Sequence, residues 1–437
     1  MNYTQAYNYL ISLNNLPRNE YMKDPRHCSW YLKRLQFFLN IIGNPEKKVP
    51  HYIHVTGTSG KGSVCLLLDS ILRANGQKVG VLTSPHPSVI TERWDINGKP
   101  MSQKQFSQNI SQLKSKLDQY VRKTPYDMLS YGEFSTAMAL YHFAKQKVDW
   151  AVLEVGCGGR YDSTNIIPHK DTAVITNIGL DHKGIIGNTK TKIAYEKSGI
   201  IKKGCKVFTM EKNKKIIEVI KKENKKNKTE FNIIKNTSKI LQQDLDGIKF
   251  NHAGENYFLP ILGKHQIDNA VLAIEIALSL KIPVNNIKQG LKKVKIPVCM
   301  EIVSKKPLII LDGGHNPEKI KTTVATAKFI NKPIHLIVGF SYNKQWLNMI
   351  KQLSELDPLS IACTRFTENY FRKATNPKDI ADEFKKYLPK IKTEVFLDPK
   401  DALAWSKKQI ETNDLILTTG SVFLGGELRK LFKNTLC

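Results

Sequence analysis

A glycine-rich turn between a strand and a helix is the feature of this sequence that most constrains its fold. The run HVTGTSGKGS, from His54 to Ser63, leaves an apolar strand and enters a helix. Glycines let backbone N–H groups turn toward an anion, and the helix adds its positive N-terminal end. We therefore predict a phosphate-binding loop with a lysine cation and a hydroxyl that can face Mg²⁺, formed by Gly57, Thr58, Ser59, Gly60, Lys61, Gly62 and Ser63.

The spacing of this loop differs from the common Walker A pattern. The first glycine lies four residues before Lys61 rather than six, and Gly62 separates the lysine from the hydroxyl of Ser63. The alternative is a glycine turn that only starts a helix. Glycine, lysine and serine seldom fall together by chance after a strand, which favours the phosphate-binding interpretation.

Length and composition predict an intracellular protein of two domains. The chain has 437 residues, of which 41% are hydrophobic, and this is too long for one ordinary core. Seven cysteines are scattered without a CxxC pair, which is typical of reduced thiols in the cytoplasm. The first residues lack a basic start followed by an apolar run, and no stretch is long and apolar enough for a membrane helix.

The formal charge of +28 raises the alternative of a nucleic-acid-binding protein. The excess is lysine spread over the whole chain, and its densest run, Lys202 to Lys228, resembles a solvated helix face. A nucleic-acid footprint would cluster on one element together with stacking aromatic residues. We therefore expect small anionic substrates and no nucleic acid or membrane partner.

Short apolar runs alternate with helical patterns along most of the chain, which predicts parallel sheets covered by helices. The candidate strands of the first part are Tyr52 to Val55, Val79 to Leu82, Trp150 to Val155 and Ala173 to Ile178. Each ends at a polar or glycine-rich turn, so we expect these turns to share one cleft at the carboxyl edge of the sheet. A lysine-rich excursion from Lys202 to about Asn256 predicts a lesser lobe or peripheral strands.

The pattern restarts after Pro297, and we predict an α/β protein with a large domain over residues 1–296 and a smaller Rossmann-like domain over residues 297–437. The candidate strands of the second domain are Leu308 to Leu311, His335 to Val338, Ser360 to Cys363, Glu394 to Leu397 and Leu415 to Thr418.

Polar residues at the strand ends supply candidate ligands. Glu154 closes one strand before a run of glycines, Ser84 follows another, and His182 follows a third. One carboxylate, one hydroxyl and one imidazole fit Mg²⁺ or Mn²⁺ better than zinc. The alternatives are an ordinary strand-end acid and a structural histidine.

A second motif, LDGGHNP, ends a strand and opens a helix in the smaller domain. Its Asp312 and His315 could approach a nucleotide across an interdomain cleft. The plainer interpretation is a helix start with Asn316 as the cap and Pro317 in the first turn, and both can be true.

Taken in order, these residues resemble the folylpolyglutamate synthases and dihydrofolate synthases, a branch of the Mur ligases. The resemblance spans nearly the whole chain. It is carried by the phosphate loop and by the runs TSPH from Thr83, EVGCGGRYD from Glu154, TNIGLDH from Thr176, EKSGI from Glu196, HQ and NA around His265 and Asn269, and DGGHNP from Asp312.

The resemblance implies a Mur-type ATP-binding domain followed by a glutamate ligase domain. ATP would phosphorylate a carboxylate of dihydropteroate or a reduced folate, and the amino group of L-glutamate would attack the acyl phosphate. It also implies roles for individual positions. The nucleotide would be contacted by Thr58 to Lys61, Asn269, Asp312 and His315. Its metal would be bound by Ser63, and a second Mg²⁺ would be bound by Ser84, Glu154 and His182. Catalysis would use Lys61, Lys197, His182 and His315, with Lys197 carboxylated by CO₂, and the pterin would be faced by Tyr131, Glu133 and Asp162.

Two departures from the family pattern keep alternatives open. Cys299 stands where the family has an arginine that contacts ATP, and Gly132 stands where it has an aromatic residue against the pterin. A related ligase with a different carboxylate acceptor is one alternative, and a nucleotide-binding homologue with weak catalysis is the other. We expect an ATP- and Mg²⁺-dependent, monomeric, cytoplasmic amide ligase.

Overall fold

The structure is a computed structural model that describes residues 1–16, 27–180, 185–368 and 372–432. By its internal contacts the chain divides into two compact units. The first contains Met1–Ser84, Thr91–Ser238 and Ile267–Val294, and the second contains Pro85–Ile90, Lys239–Gln266 and Lys295–Cys437. The predicted boundary at Pro297 falls two residues into the last of these segments.

A mostly parallel sheet forms the centre of the first unit. In the described residues it has eight strands in the order β4-β3-β2-β5-β1-β6-β7-β8, with β3 and β4 antiparallel at one edge. The strands are β1 His51–Thr56, β2 Val79–Leu82, β3 Trp94–Ile96, β4 Lys99–Pro100, β5 Trp150–Glu154, β6 Thr172–Ile175, β7 Lys206–Thr209 and β8 Glu230–Ile233. The four strands at its centre are buried almost throughout, as continuous apolar runs predict for a sheet covered on both faces.

Helices cover this sheet, and several of them are capped by the side chain of the preceding residue. They are α1 Tyr3–Ser12, α2 Trp30–Ile41, α3 Lys61–Ala74, α4 Gln103–Lys123, α5 Tyr131–Lys145, α6 Lys190–Ser198, α7 Lys214–Asn227, α8 Gln266–Ser279 and α9 Val284–Lys293. Ser102 and Ser130 form capping boxes with the glutamine and glutamate three residues on, which satisfies the first N–H groups of α4 and α5.

The lysine-rich excursion is divided between the two units. Its first part forms β7, α7 and β8, which extend the main sheet outward from β6. Its second part forms a three-stranded antiparallel sheet of the second unit, β9 Lys239–Asp244, β10 Gly247–His252 and β11 Glu255–Leu259. Of the two predicted alternatives, a lesser lobe and peripheral strands, the peripheral strands are confirmed.

The second unit is built on a six-stranded sheet in the order β12-β13-β17-β14-β15-β16, in which only β12 runs antiparallel among the described strands. The strands are β12 Glu301–Lys305, β13 Leu308–Leu311, β14 Ile334–Val338, β15 Ser360–Cys363, β16 Lys392–Val395 and β17 Leu415–Thr419; the helices are α10 Pro317–Ile330, α11 Trp346–Leu353, α12 Pro377–Tyr387, α13 Pro399–Gln409 and α14 Val422–Lys430. The predicted α/β class with a smaller Rossmann-like domain is confirmed.

One predicted strand was displaced. The sequence placed it at Glu394 to Leu397, whereas β16 spans Lys392–Val395. This strand lies at the edge of its sheet and is largely exposed, so its residues carry little alternation from which to set its bounds. Among the helices that the structure describes, none is long and apolar enough to cross a membrane.

Candidate active site

The predicted phosphate loop connects the end of β1 to the start of α3. Gly57 has a φ of +147° and Gly60, the N-terminal cap of α3, has a φ of +81°. A Cβ on Gly57 would lie 1.8 Å from Thr176 Oγ1, and one on Gly60 would lie 2.3 Å from the side-chain oxygen of Asn269. Both positions therefore need glycine for conformation and for space. The second contact also places Asn269, a predicted nucleotide residue on α8, directly against the loop.

The segment after β6 braces this loop. The N–H of Thr58 donates to the Asn177 carbonyl at 2.9 Å, and the N–H of Ser59 donates to the Asn177 side-chain oxygen at 2.8 Å. Thr176 Oγ1 donates to the Ser59 carbonyl at 2.6 Å. Sequence reasoning assigned no role to Thr176 and Asn177, because it placed both inside the predicted strand Ala173 to Ile178; the polar pair within an otherwise apolar run was the available signal.

Two lysines meet at one carbonyl of the loop. Lys61 Nζ donates to the Gly57 carbonyl at 3.0 Å, and Lys197 Nζ donates to the same oxygen at 2.8 Å. Lys197 lies near the end of α6 and is only 2% exposed. Lys197 is therefore not an ordinary surface lysine, because its amine is buried against the phosphate loop.

The ends of β2 and β5 also reach the start of α3. Glu154, which closes β5, accepts a hydrogen bond from the Ser84 N–H at 2.9 Å. A Cβ on Gly62 would lie 3.4 Å from Oε2 of the same carboxylate. The carboxylate of Glu154 thus lies between the backbone of Ser84 and the first turn of α3, the turn that contains Ser63. The expectation that these strand ends share one site is confirmed for the turns after β1, β2, β5 and β6.

These side chains fit a magnesium ion. Within the described ranges, no group of three or more His, Cys, Asp or Glu side chains could hold a metal by itself. Mg²⁺ is commonly bound by one or two carboxylates together with water and substrate phosphates, so Glu154 with the hydroxyls of Ser63 and Ser84 is a suitable set of oxygen donors. His182, the predicted imidazole ligand, belongs to residues 181–184 and lies outside the described residues.

A tight turn follows Glu154, and Asp162 holds its backbone. Asp162 Oδ2 accepts hydrogen bonds from the N–H groups of Gly156 at 3.1 Å and Cys157 at 2.9 Å. Oδ1 accepts from the N–H of Thr164 at 3.0 Å and from its hydroxyl at 2.5 Å. Burial raises the pKa of the Asp162 carboxyl, and these hydrogen bonds act in the opposite direction. Both oxygens of this predicted pterin residue therefore have partners within the turn.

The other two predicted pterin residues lie at the start of α5. Arg34 makes a two-pronged ion pair with Glu133, from Nε to Oε1 at 2.7 Å and from Nη2 to Oε2 at 2.6 Å. Glu133 also closes the capping box of α5, so its contacts in the structure are structural ones. Tyr131 lies under the guanidinium of Arg93, 5.6 Å from the ring centre. Neither arrangement tests contact with a pterin, which stays a prediction.

In the second unit, Asp312 organises the loop that follows β13. Its Oδ2 accepts hydrogen bonds from the Gly314 N–H at 2.9 Å, from Thr323 Oγ1 at 2.6 Å and from Thr419 Oγ1 at 3.1 Å. His315 Nδ1 lies 2.9 Å from the Gly313 carbonyl, which places the proton on Nδ1.

Asn316 caps α10 and Pro317 occupies its first turn. The capped helix start at this motif is confirmed, while nucleotide contact by Asp312 and His315 stays a prediction.

Cys299 precedes β12, in the same unit as Asp312. The side-chain Nε2 of Gln266 donates to its sulfur at 2.9 Å. Burial raises the pKa of the Cys299 thiol to about 12, with the charge of Asp312 adding to the effect. The side chain at this position is therefore a neutral thiol at physiological pH, without the charge that a guanidinium would supply.

Comparison with known proteins identifies the family. The Mur ligase middle domain matches residues 55–277, and the Mur ligase glutamate ligase domain matches residues 300–422. The chain is 32% identical to the dihydrofolate synthase/folylpolyglutamate synthase of Bacillus subtilis over 92% of this chain and 95% of that protein. It is 30% identical to the folylpolyglutamate synthase of Lacticaseibacillus casei, over 81% of this chain and 83% of that protein. The chain belongs to the folylpolyglutamate synthase and dihydrofolate synthase family of Mur ligases.

Solved structures of this family share the fold. A folylpolyglutamate synthase of Mycobacterium tuberculosis in complex with ADP superimposes with a TM-score of 0.86 at 25% identity, covering 99% of this chain and 98% of that one. The enzyme of Thermotoga maritima gives a TM-score of 0.83 at 27% identity, covering 99% and 97%. As a member of this family, the chain is an ATP-dependent ligase with small-molecule substrates.

Proposed function

We propose that this ligase joins L-glutamate to the carboxylate of a pterin-containing acceptor, either dihydropteroate, a reduced folate, or both. The relatives that cover most of the chain carry both activities in their names. The observation that carries the proposal is the position of Glu154, whose carboxylate lies between Ser84 and the first turn of α3. An acidic group beside the first turn of α3 supports magnesium-dependent phosphoryl transfer from ATP.

The residues of the loop would bind and orient the nucleotide. The N-terminus of α3 offers its positive end to the phosphates, and Lys61 would leave the Gly57 carbonyl to contact them. Asn269 would keep Gly60 in place beneath the phosphates. ATP would phosphorylate the acceptor carboxylate, and the glutamate amine would then displace phosphate to form the amide.

We further propose two metal positions. Ser63 would hold a Mg²⁺ carried by the nucleotide, and Ser84 and Glu154, with His182 from the family pattern, would hold a second. When bound, Mg²⁺ supplies charge neutralisation to the phosphate oxygens. Within this scheme Asp312 and His315 of the second unit contact the nucleotide, and Tyr131, Glu133 and Asp162 lie on the pterin side.

We propose that Lys197 reacts with CO₂ to give a carbamate. Lys61 and Lys197 donate to the same Gly57 carbonyl, so two ammonium groups would lie close together in a buried site. Conversion of Lys197 to an anion replaces this repulsion with attraction. Carbon NMR with ¹³C-labelled bicarbonate would show a carbamate resonance that is absent from a Lys197→Met variant; its absence from the unsubstituted protein would contradict the proposal.

A phosphate-release assay tests the proposed acceptor. ATP, Mg²⁺ and glutamate are supplied with dihydropteroate, with tetrahydrofolate, or with neither. We expect glutamate-dependent phosphate release with at least one pterin, and near-complete loss of that release in Glu154→Gln. Phosphate release that neither pterin stimulates would reject the pterin acceptor and favour a ligase for another carboxylate.

We also propose a monomeric, cytoplasmic enzyme, and sedimentation analysis would reveal any larger assembly.

A further inference from the structure

A buried chain of hydrogen bonds in the first unit begins at Asp162. A carboxylate has no proton to donate, so the Thr164 hydroxyl, 2.5 Å from Oδ1, must donate to it. That hydroxyl has one proton, and it therefore accepts from its other neighbour. The neighbour is Nε2 of His54, at 2.8 Å. The first two links thus require a proton on Nε2 of His54.

The third link determines the protonation of the other ring nitrogen of His54, Nδ1. A neutral imidazole carries one proton, so Nδ1 of His54 must act as an acceptor. Lys170 Nζ lies 2.7 Å from Nδ1 and supplies the donor. Burial lowers the pKa of His54 well below its usual value, with Lys170 and Lys202 adding to the effect, which agrees with a neutral ring. The chain therefore runs in one direction, from Lys170 through His54 and Thr164 to Asp162.

Lys170 also begins a second arm. Its Nζ donates to the side-chain oxygen of Asn165 at 3.0 Å, and the amide nitrogen of Asn165 donates to the carbonyls of Arg160 at 3.1 Å and Gly199 at 3.0 Å. Gly199 follows Lys197 by two residues. One amine thus connects to the turn after Glu154 by one arm and to the end of α6, beside Lys197, by the other.

Lys170 and its neighbour Lys202 are both partly or fully removed from solvent, but they make different hydrogen bonds. Lys170 is 3% exposed, and the titratable groups that act on its amine are Lys202 and the thiol of Cys205. Burial lowers the pKa of the Lys170 amine, with the charge of Lys202 acting in the same direction. Lys202 Nζ donates to two backbone carbonyls, those of Asn165 and Ile167. Lys202 is therefore a matched control, a half-buried lysine in the same cluster but outside the chain from Lys170 to Asp162.

We propose that Lys170 and His54 are positioning residues, which hold the backbone of residues 156–157 through Thr164 and Asp162 and thereby set the place of Glu154 at the metal. The inference rests on the proposed function, because it takes Glu154 as a metal ligand. Groups that orient a ligand from behind commonly change metal affinity by 10- to 100-fold when removed.

Metal affinity tests the chain apart from catalysis. The probe is Mn²⁺, titrated in the presence of a saturating non-hydrolysable ATP analogue. We expect Lys170→Met and Thr164→Val each to raise the dissociation constant by on the order of tenfold, and the double variant to raise it no further, since both break one chain. Thr164→Ser keeps the hydroxyl and should stay close to the unsubstituted protein. Lys202→Met should lower the melting temperature while leaving Mn²⁺ affinity unchanged.

Additive losses in the double variant, or an equal loss in Lys202→Met, would overturn the proposal. The imidazole nitrogens give a second measurement that needs neither metal nor activity. Nitrogen NMR of ¹⁵N-histidine protein, with the His54 signal assigned by a His54→Asn variant, should show a proton on Nε2 alone. A proton on Nδ1 would overturn the chain even where Lys170→Met fails to fold. If Glu154→Gln leaves Mn²⁺ affinity unchanged, the metal assignment of the proposed function fails, and the NMR result alone decides whether the hydrogen-bond chain exists.

Discussion

At the scale of single residues, the phosphate loop depends on glycines that no other residue can replace without strain. Gly60 combines a positive φ with a neighbour, Asn269, whose side-chain oxygen occupies the space of a Cβ. Gly76, at the other end of α3, has a similar φ of +84° but no atom within 4 Å of a Cβ. The two positions separate the cost of the backbone conformation from the cost of the contact.

We predict that Gly60→Ala raises the dissociation constant of ATP at least tenfold. The Cβ must displace Asn269 or the loop, in addition to the backbone cost of about 1–2 kcal/mol for a left-handed residue. Gly76→Ala carries the same backbone cost and should leave ATP binding unchanged. Calorimetric titration of both variants measures this directly, and equal ATP affinity in the two would show that Asn269 has no part in the loop.

At the scale of elements, the turn after β5 is packed against the C-terminal end of α6. A Cβ on Gly159 would lie 2.8 Å from the Lys197 carbonyl oxygen and 2.9 Å from that of Glu196. These are backbone atoms, so neither can rotate away. The same helix carries Lys197 to the phosphate loop, and the packing of Gly159 therefore decides where that amine lies.

Gly159→Ala should shift α6 and reduce both stability and ligase activity. We expect a loss of about 1–3 kcal/mol in the free energy of unfolding, as is usual for overpacking a buried contact. Gly132→Ala, where the nearest atom to a Cβ is Ser130 Oγ at 3.8 Å, is the control for stability and should not destabilise α5. Urea denaturation of both proteins gives the comparison, and an unchanged midpoint in Gly159→Ala would refute the tight packing.

Some of the strands and loops could be predicted from the sequence, and others could not. The buried parallel strands were predictable because continuous apolar runs end at polar turns, and the loop after β1 followed from its glycines. The end of β6 was not predictable. The sequence pattern extended this strand to Ile178, but β6 ends at Ile175. The next two residues, Thr176 and Asn177, make hydrogen bonds to the phosphate loop instead. The chain from Lys170 to Asp162 was equally hidden, because it joins residues more than a hundred positions apart whose partners only the fold brings together.

At the scale of the whole molecule, stability depends on a partly buried acid on β3. Burial raises the pKa of Asp95 to about 7, with the charge of Asp69 adding to the shift and hydrogen bonds from Gly98 and Lys99 opposing it. The folded state thus binds this proton more tightly than the unfolded state does. The free energy of unfolding should fall as the pH rises from about 4 to about 7, and the loss should be complete above pH 7.

Asp95→Asn should remove this dependence, because an amide resembles the protonated acid. We expect the variant to match the unsubstituted protein near pH 4 and to exceed its stability above pH 7, with the difference growing by at most about 1.4 kcal/mol per pH unit between. The measurement is chemical denaturation at several pH values. A difference that stays constant from pH 4 to pH 8 would contradict the raised pKa of Asp95.

The central claim for the whole molecule is that it activates an acceptor carboxylate with ATP before glutamate attacks. Isotope transfer tests this most directly: dihydropteroate and tetrahydrofolate labelled with ¹⁸O in the reacting carboxylate are supplied in turn with ATP, Mg²⁺ and glutamate, and the products are analysed by mass spectrometry. With at least one acceptor, we predict a product heavier by one glutamyl residue and inorganic phosphate that carries one ¹⁸O. ATP hydrolysis that yields only unlabelled phosphate and no glutamyl product would contradict the account.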